Sequence, residues 1–162
     1  MNKHLKWTAA ATFALAMLGL TAPTAAADTT LTFFEHDNVQ HQVDLGGPGP
    51  GPGDQFIFAG DLFDRPGGMF MGTFAGSATT LSGNDKSGQT AFNGTLSLAG
   101  GQIVVQGVVD TAAVIVRGDT VPISIVGGTG TYQNASGKGT LQVPTDVPNQ
   151  TDANFVLNLT SG

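Results

Sequence analysis

From Thr30 to Leu159 the apolar residues come in runs of about four to eight, broken by Gly, Pro, Asn and Asp. Short apolar runs between turn residues are the pattern of consecutive β-strands. About eight strands are predicted: Leu31–His36, Gln55–Phe63, Met69–Thr79, Thr90–Leu98, Gln102–Val109, Val114–Arg117 continuing to Val121–Val126, Gly139–Val143 and Ala153–Thr160. No segment carries a helical period. Leu96–Leu98 and Ile103–Val105 flank Ala99-Gly100-Gly101, which predicts an antiparallel hairpin. The Pro-Gly stretch 46–53 can neither donate a regular ladder of hydrogen bonds nor pack, and reads as a mobile loop inside the domain. Many short antiparallel strands must form a sandwich or close into a barrel to remove their edges, and the pattern alone leaves both open.

The first residues follow another rule. Lys3 and Lys6 precede a stretch from Thr8 to Ala22 without charge, and Ala25-Ala26-Ala27 stands before Asp28. This is the order of a cleavable export signal, and the apolar stretch is short against the ~20 residues of a spanning helix. The expectation is a secreted protein with a signal over 1–27 and one domain over 28–162, with no membrane span in the mature chain. The 135 residues that remain are enough for one real core.

Composition narrows the chemistry. The chain has no cysteine, so thiol catalysis and cysteine metal sites are excluded. After cleavage four basic residues face twelve acidic ones, a formal charge of −8, which argues against a nucleic-acid partner. Glycine-rich 127–130 lacks the G-x-G-x-x-G spacing and a following helix, and Gly137-Lys138-Gly139-Thr140 lacks the Walker spacing, so both read as turns.

Glu35-His36-Asp37, with His41 nearby, is the one dense cluster of ionisable side chains, and Glu35 is the only glutamate. On a strand Phe33, Glu35 and Asp37 share one face, and Phe34 and His36 the other, so Glu35 and His36 cannot meet on one metal without a bulge. No metal site is predicted. By spacing alone the cluster reads first as a solvated strand end. If instead the Phe33 face points inward, Glu35 enters an apolar interior, where its pKa rises toward the range of a working acid or base. Phe56 and Phe58 share a face with Gly60 and Leu62. Core packing is their ordinary role, but phenylalanines beside a glycine gap can also line a pocket for a flat apolar ligand.

Taken together, these residues resemble the allene oxide cyclase and dirigent protein superfamily. The resemblance is carried by Val126-Gly127-Gly128-Thr129-Gly130-Thr131-Tyr132 with Gly137 and Gly139, and by Gly72-Thr73-Phe74-Ala75-Gly76. Gly53-Asp54 with Phe58, Leu62, Phe63 and Asp64, and Ile103-Val104-Val105-Gln106-Gly107, are similar to the cyclase branch. Glu35 falls at that branch's pocket glutamate, and His36-Asp37 is similar to the dirigent His-Asp. The resemblance implies an all-β fold: a single small antiparallel barrel of about eight strands, binding apolar molecules without a cofactor and commonly assembling as trimers. Gly60, Asp37 and Ala78 replace two asparagines and a cysteine of the cyclases, and Gly107-Val108 replaces a dirigent Gly-Arg. The resemblance therefore implies a barrel and a pocket, not the family's fatty-acid reaction.

The expected function is an apolar small molecule held in the barrel, with its cyclisation or coupling steered as in a cofactor-free isomerase or cyclase. Glu35 and Asp37 would be catalytic, and Phe33, Phe56, Phe58, Gly60 and Leu62 would shape the ligand. The alternative is a non-catalytic extracellular or envelope protein that merely holds a lipid or metabolite. A third reading, a barrel filled by its own phenylalanines, predicts no cavity.

Overall fold

The computed structural model describes residues 28–146 and 152–161; the expected export signal, 1–27, lies outside them. Eight antiparallel strands follow one another around a closed barrel: β1 (Thr29–Val43), β2 (Gln55–Phe63), β3 (Phe70–Asn84), β4 (Ser87–Leu98), β5 (Gly101–Asp110), β6 (Val121–Gly128), β7 (Ala135–Gln142) and β8 (Ala153–Ser161). Pairing of β1 with β8, from Thr29↔Leu159 to Glu35↔Ala153, closes the ring and decides for a barrel over a sandwich. Closure leaves no strand edge to template aggregation. Among the described residues no helix is long and apolar enough to cross a membrane.

The predicted antiparallel hairpin forms, with Ala99-Gly100 alone as its turn, Gly101 paired with Leu98 and Leu96 opposite Ile103. Two segments differ from the sequence-based expectation. Val114–Arg117 is no strand: Ala112–Val116 is a π-helical turn. Asp110 accepts the Ala113 N–H at 2.8 Å, and the Ala113 carbonyl accepts the Asp119 N–H at 2.8 Å, so the backbone polar groups pair locally rather than in a ladder. A short β-branched run is buried equally well either way, and here Val114 is tucked in while Ile115 and Val116 face out. The Pro-Gly stretch is not unpacked either. Asp54 accepts the N–H groups of Leu45 (3.0 Å) and Gly51 (2.8 Å), and Gly53 N–H donates to the Thr80 carbonyl (2.8 Å).

One irregularity sets what faces inward. Between Asp37 and Val39 the β1–β2 register shifts. Before it the odd residues Phe33, Glu35 and Asp37 point into the barrel; after it the even residues Gln40 and Gln42 do. A bulge adds one residue, which reverses the face of every side chain beyond it.

The interior is filled at one end only. Phe33, Leu62, Leu96, Ile103, Val105 and Leu157 close it with fully buried side chains. Above them a 3₁₀ turn, Gly130–Tyr132, seals the base, tied by Thr131 N–H to the Gly100 carbonyl (2.8 Å). The glycine-rich stretch that mimics a nucleotide loop is this seal.

Candidate functional site

The other end holds a cavity of about 340 Å³, so the barrel is not filled by its own side chains. Its mouth is bordered by Pro50 of the β1–β2 loop, Asp85 and Lys86 of the β3–β4 turn, and Val114 and Ile115 of the π turn. The wall is largely aromatic. Phe58 on β2, Phe74 on β3 and Phe92 on β4 lie 5.7 to 6.3 Å apart by ring centroid and within 20° of parallel. Phe155 on β8 leans on Phe74 at 5.1 Å.

Glycines set the packing of this wall. A Cβ on Gly94 would overlap the Phe74 ring, and one on Gly76 would come within 2.9 Å of Phe58 and 3.0 Å of Phe74. Neither strand could hold a larger residue there without displacing the rings.

Glu35 stands on the cavity wall, 2 % exposed. Its place is made by Gly60, since a Cβ there would overlap both Glu35 Oε1 and the His36 carbonyl. No hydrogen bond reaches Oε1 among the described residues. Burial, then the charges of Asp37 and Asp152, push its pKa up to about 8, so the carboxyl is protonated at neutral pH. Asp37 also faces the cavity and accepts a hydrogen bond from Gln40. Asp54, at the rim, is held below the usual carboxylate range by the backbone N–H groups of Leu45 and Gly51.

His36 points away from the cavity and donates from Nδ1 to Asp152 Oδ1 at 3.0 Å, while the same oxygen accepts the Asp37 N–H at 3.3 Å. Asp152, just before β8, is itself buried. It thus anchors the start of β8 to the strand that carries Glu35. Among the described residues no three His, Asp or Glu side chains gather as a metal site.

The sequence-predicted residues therefore separate. Glu35, Asp37, Phe56 and Phe58 border the cavity, with Phe56 at the mouth. Phe33 and Leu62 do not: Phe33, two residues before Glu35 on β1, and Leu62, directly opposite Glu35 on β2, belong to the packed end. Gly60 touches no ligand space directly and acts through the room it leaves for Glu35. Phe74, Phe92 and Phe155 were missed as pocket residues, as was Asp152 as a partner of His36. Phe74 and Phe92 carried the same signal as Phe58, a phenylalanine two residues from a glycine on the same strand face.

Residues 32–157 match the allene oxide cyclase barrel like domain. The chain belongs to this family. Within the allene oxide cyclase barrel fold, several solved structures superpose well. A pyocyanin demethylase is 24 % identical with a TM-score of 0.66, covering 82 % of this chain and 100 % of that one. A Diels-Alderase from Streptomyces koyangensis is 22 % identical with a TM-score of 0.66, over 82 % of this chain and 64 % of that one. A pterocarpan synthase dirigent protein is 17 % identical with a TM-score of 0.65, over 86 % and 99 %. At these identities the likeness is one of fold. A search of curated proteins gave no match.

Proposed function

We propose that this barrel is exported, binds an apolar small molecule in its phenylalanine-walled cavity, and steers that molecule's cyclisation or coupling. The observation that carries the reading is Glu35: a carboxyl that is buried, protonated at neutral pH and without a hydrogen bond to Oε1, on the wall of a largely apolar cavity. An unsatisfied buried acid costs about 1–3 kcal/mol of desolvation, which a purely structural role does not offset. Relatives in fold that are named as a Diels-Alderase and a dirigent protein support ring closure or coupling as the class of reaction.

Catalysis in this reading is mostly confinement. A rigid wall that holds a flexible molecule folded near its reactive shape removes much of the entropic part of the barrier. Glu35 then donates a proton, or a hydrogen bond, to the atom on which negative charge develops, and the water-poor cavity strengthens that interaction. Burial keeps the proton on Glu35, and the charge of Asp37 adds to that effect.

The test is native mass spectrometry of the protein from its own culture medium, with released small molecules identified after denaturation. A mature chain starting near Asp28 and a co-purifying apolar molecule are expected. A chain that keeps residues 1–27 sinks export; a cavity that takes up no apolar molecule, even when candidates are added, sinks the pocket. With the molecule in hand, Glu35→Gln and Asp37→Asn separate enzyme from carrier. Both variants should still bind it, and conversion should slow by at least tenfold if Glu35 does chemistry. Unchanged conversion, or none in either protein, leaves a carrier.

A further inference from the structure

Resting on that pocket, we infer that its ligand is an uncharged molecule bearing a conjugated carbonyl, whose oxygen accepts a hydrogen bond from Glu35 at the cavity floor. Two independent features of the site converge on this class. The first is position. Glu35 lines the cavity and pairs across β1 and β2 with Leu62, a fully buried residue of the packed end, so its carboxyl stands at the bottom of the space. The residue is 2 % exposed, and Oε1, lodged where a Cβ of residue 60 would be, has no hydrogen-bond partner. Two of the hydroxyls that line the same cavity, those of Thr90 and Thr111, already pair with each other at 2.9 Å. A buried carboxyl oxygen has lost the hydrogen bonds that water gave it, and a ligand atom at the floor restores one.

The second is charge. Beside Glu35 the cavity is lined by three further acids, Asp37, Asp54 and Asp85, and by one base, Lys86, exposed in the β3–β4 turn at the mouth. Around Glu35 itself Asp37 lies along β1, and Asp152 stands behind, bound to His36, which points away from the cavity. From β2 the neighbours are Gly60 and Leu62, and from β8 Ala153, none of which carries a charge. No basic side chain among the described residues answers a negative ligand at this depth, so a carboxylate or phosphate is repelled from the floor. A cation suits the aspartates, but it would leave water for a largely apolar wall and meet a carboxyl that carries no charge of its own.

Position and charge together fix the kind of atom that meets Glu35. It must accept a hydrogen bond and carry no formal charge. If ring closure or coupling places negative charge on that atom, a carbonyl joined by conjugation to the reacting carbons receives it on oxygen, with no leaving group departing. A hydroxyl or ether oxygen also accepts a hydrogen bond but draws no electrons from those carbons. No proton changes hands: a carbonyl oxygen is far too weak a base to take it, so Glu35 keeps its proton and acts as a hydrogen-bond donor.

The probes share one skeleton and are titrated into the intact mature protein by calorimetry: the enone 4-phenylbut-3-en-2-one, the diene with a methylene in place of its carbonyl oxygen, cinnamate, and 4-phenylbut-3-en-2-amine. At pH 7 the enone should bind about tenfold more tightly than the diene, the worth of one hydrogen bond, and more tightly than cinnamate or the amine. Its near-ultraviolet band should move to the red of its position in alkane, as it does when the oxygen accepts a hydrogen bond; residues 28–162 hold no tryptophan and one tyrosine to obscure it. Enone affinity should fall above about pH 8, where Glu35 loses the hydrogen it donates, while diene affinity stays level. Glu35→Gln keeps an N–H donor, so it should retain enone binding and lose the pH dependence. Glu35→Leu should bring the enone down to the diene. Equal affinities for enone and diene in the unaltered protein, or tighter binding of cinnamate or the amine, overturn the inference even if no variant folds. Diene binding as tight as enone binding leaves the apolar-pocket reading standing; failure of all four probes overturns the two together.

Discussion

The two ends of this barrel are built by the same eight strands, yet one is solid and the other hollow. At the solid end Leu62, Leu96, Ile103, Val105 and Leu157 meet from opposite walls with branched aliphatic side chains that interdigitate. At the hollow end the wall residues are phenylalanines, and the missing side chains of Gly76 and Gly94 leave room for the ring of Phe58 from β2 and that of Phe74 from β3. Glu35 sits at the boundary, two residues from Phe33 in the core and two from Asp37 in the cavity.

The sharpest way to break this contrast is to remove volume at the solid end. Leu96→Ala should cost about 3–5 kcal/mol, because a fully buried leucine among rigid neighbours leaves a void that does not collapse. Urea unfolding reads it directly. A loss below about 1 kcal/mol would mean that this end is no better packed than the other.

The boundary itself is probed by pH. Glu35 has a folded pKa of about 8 against an ordinary 4.5, so its contribution is fully present below pH 4.5 and is lost as pH rises through 8. The folded state therefore weakens by a few kcal/mol, on the order of 3–5, across that window. Urea midpoints at pH 5 and pH 8 should differ in the natural protein, and much of the difference should vanish in Glu35→Gln. An identical pH dependence in both proteins would place the titration elsewhere.

Gly60→Ala strikes the same carboxyl from the neighbouring strand. Its methyl group would overlap the His36 carbonyl, which cannot rotate away, so the two strands must part at a cost of about 1–3 kcal/mol. Displaced from its seat, Glu35 should titrate closer to 4.5, measurable by NMR of the single glutamate. A Glu35 pKa unchanged in this variant would mean that Gly60 does not set its position.

The smallest effect belongs to the hollow end. Phe58→Ala should destabilise by about 1–2 kcal/mol, less than half the usual core value, since one side of the ring already faces empty space. It should enlarge the cavity and weaken binding of any flat probe. A loss equal to that of Leu96→Ala would show that both ends are load-sharing core and that the contrast is only one of shape.

Much of this was legible in the chain, for local reasons. Short apolar runs between turn residues mark all eight strands, the sixth extended too far forward over 114–117, because strand pairing needs little beyond such runs and turns at the right intervals. Phe56 and Phe58 were found because alternation assigns a face. Other features depend on residues outside the apolar runs themselves. The π turn over Ala112–Val116 escaped notice because Asp110 and Asp119, not its own apolar pattern, supply its hydrogen bonds. The inward turn of Gln40 and Gln42 follows from a bulge that shows no signature in Asp37-Asn38-Val39.

Alternation along each strand, the glycine-bounded spacing of the strands and the lone glutamate on a phenylalanine face are properties of neighbouring residues, and the sequence by itself determined them. Which stretch of a shared face fills the core and which opens onto a cavity is different. Phe33 and Phe58 look alike in the chain, but the first belongs to the packed core with Leu62 and Leu157 while the second stacks on Phe74 and Phe92 at the cavity wall. Only closure of β1 on β8 brings Asp152 behind Glu35, across more than a hundred residues, so only the tertiary structure decided that this carboxyl would be buried and protonated.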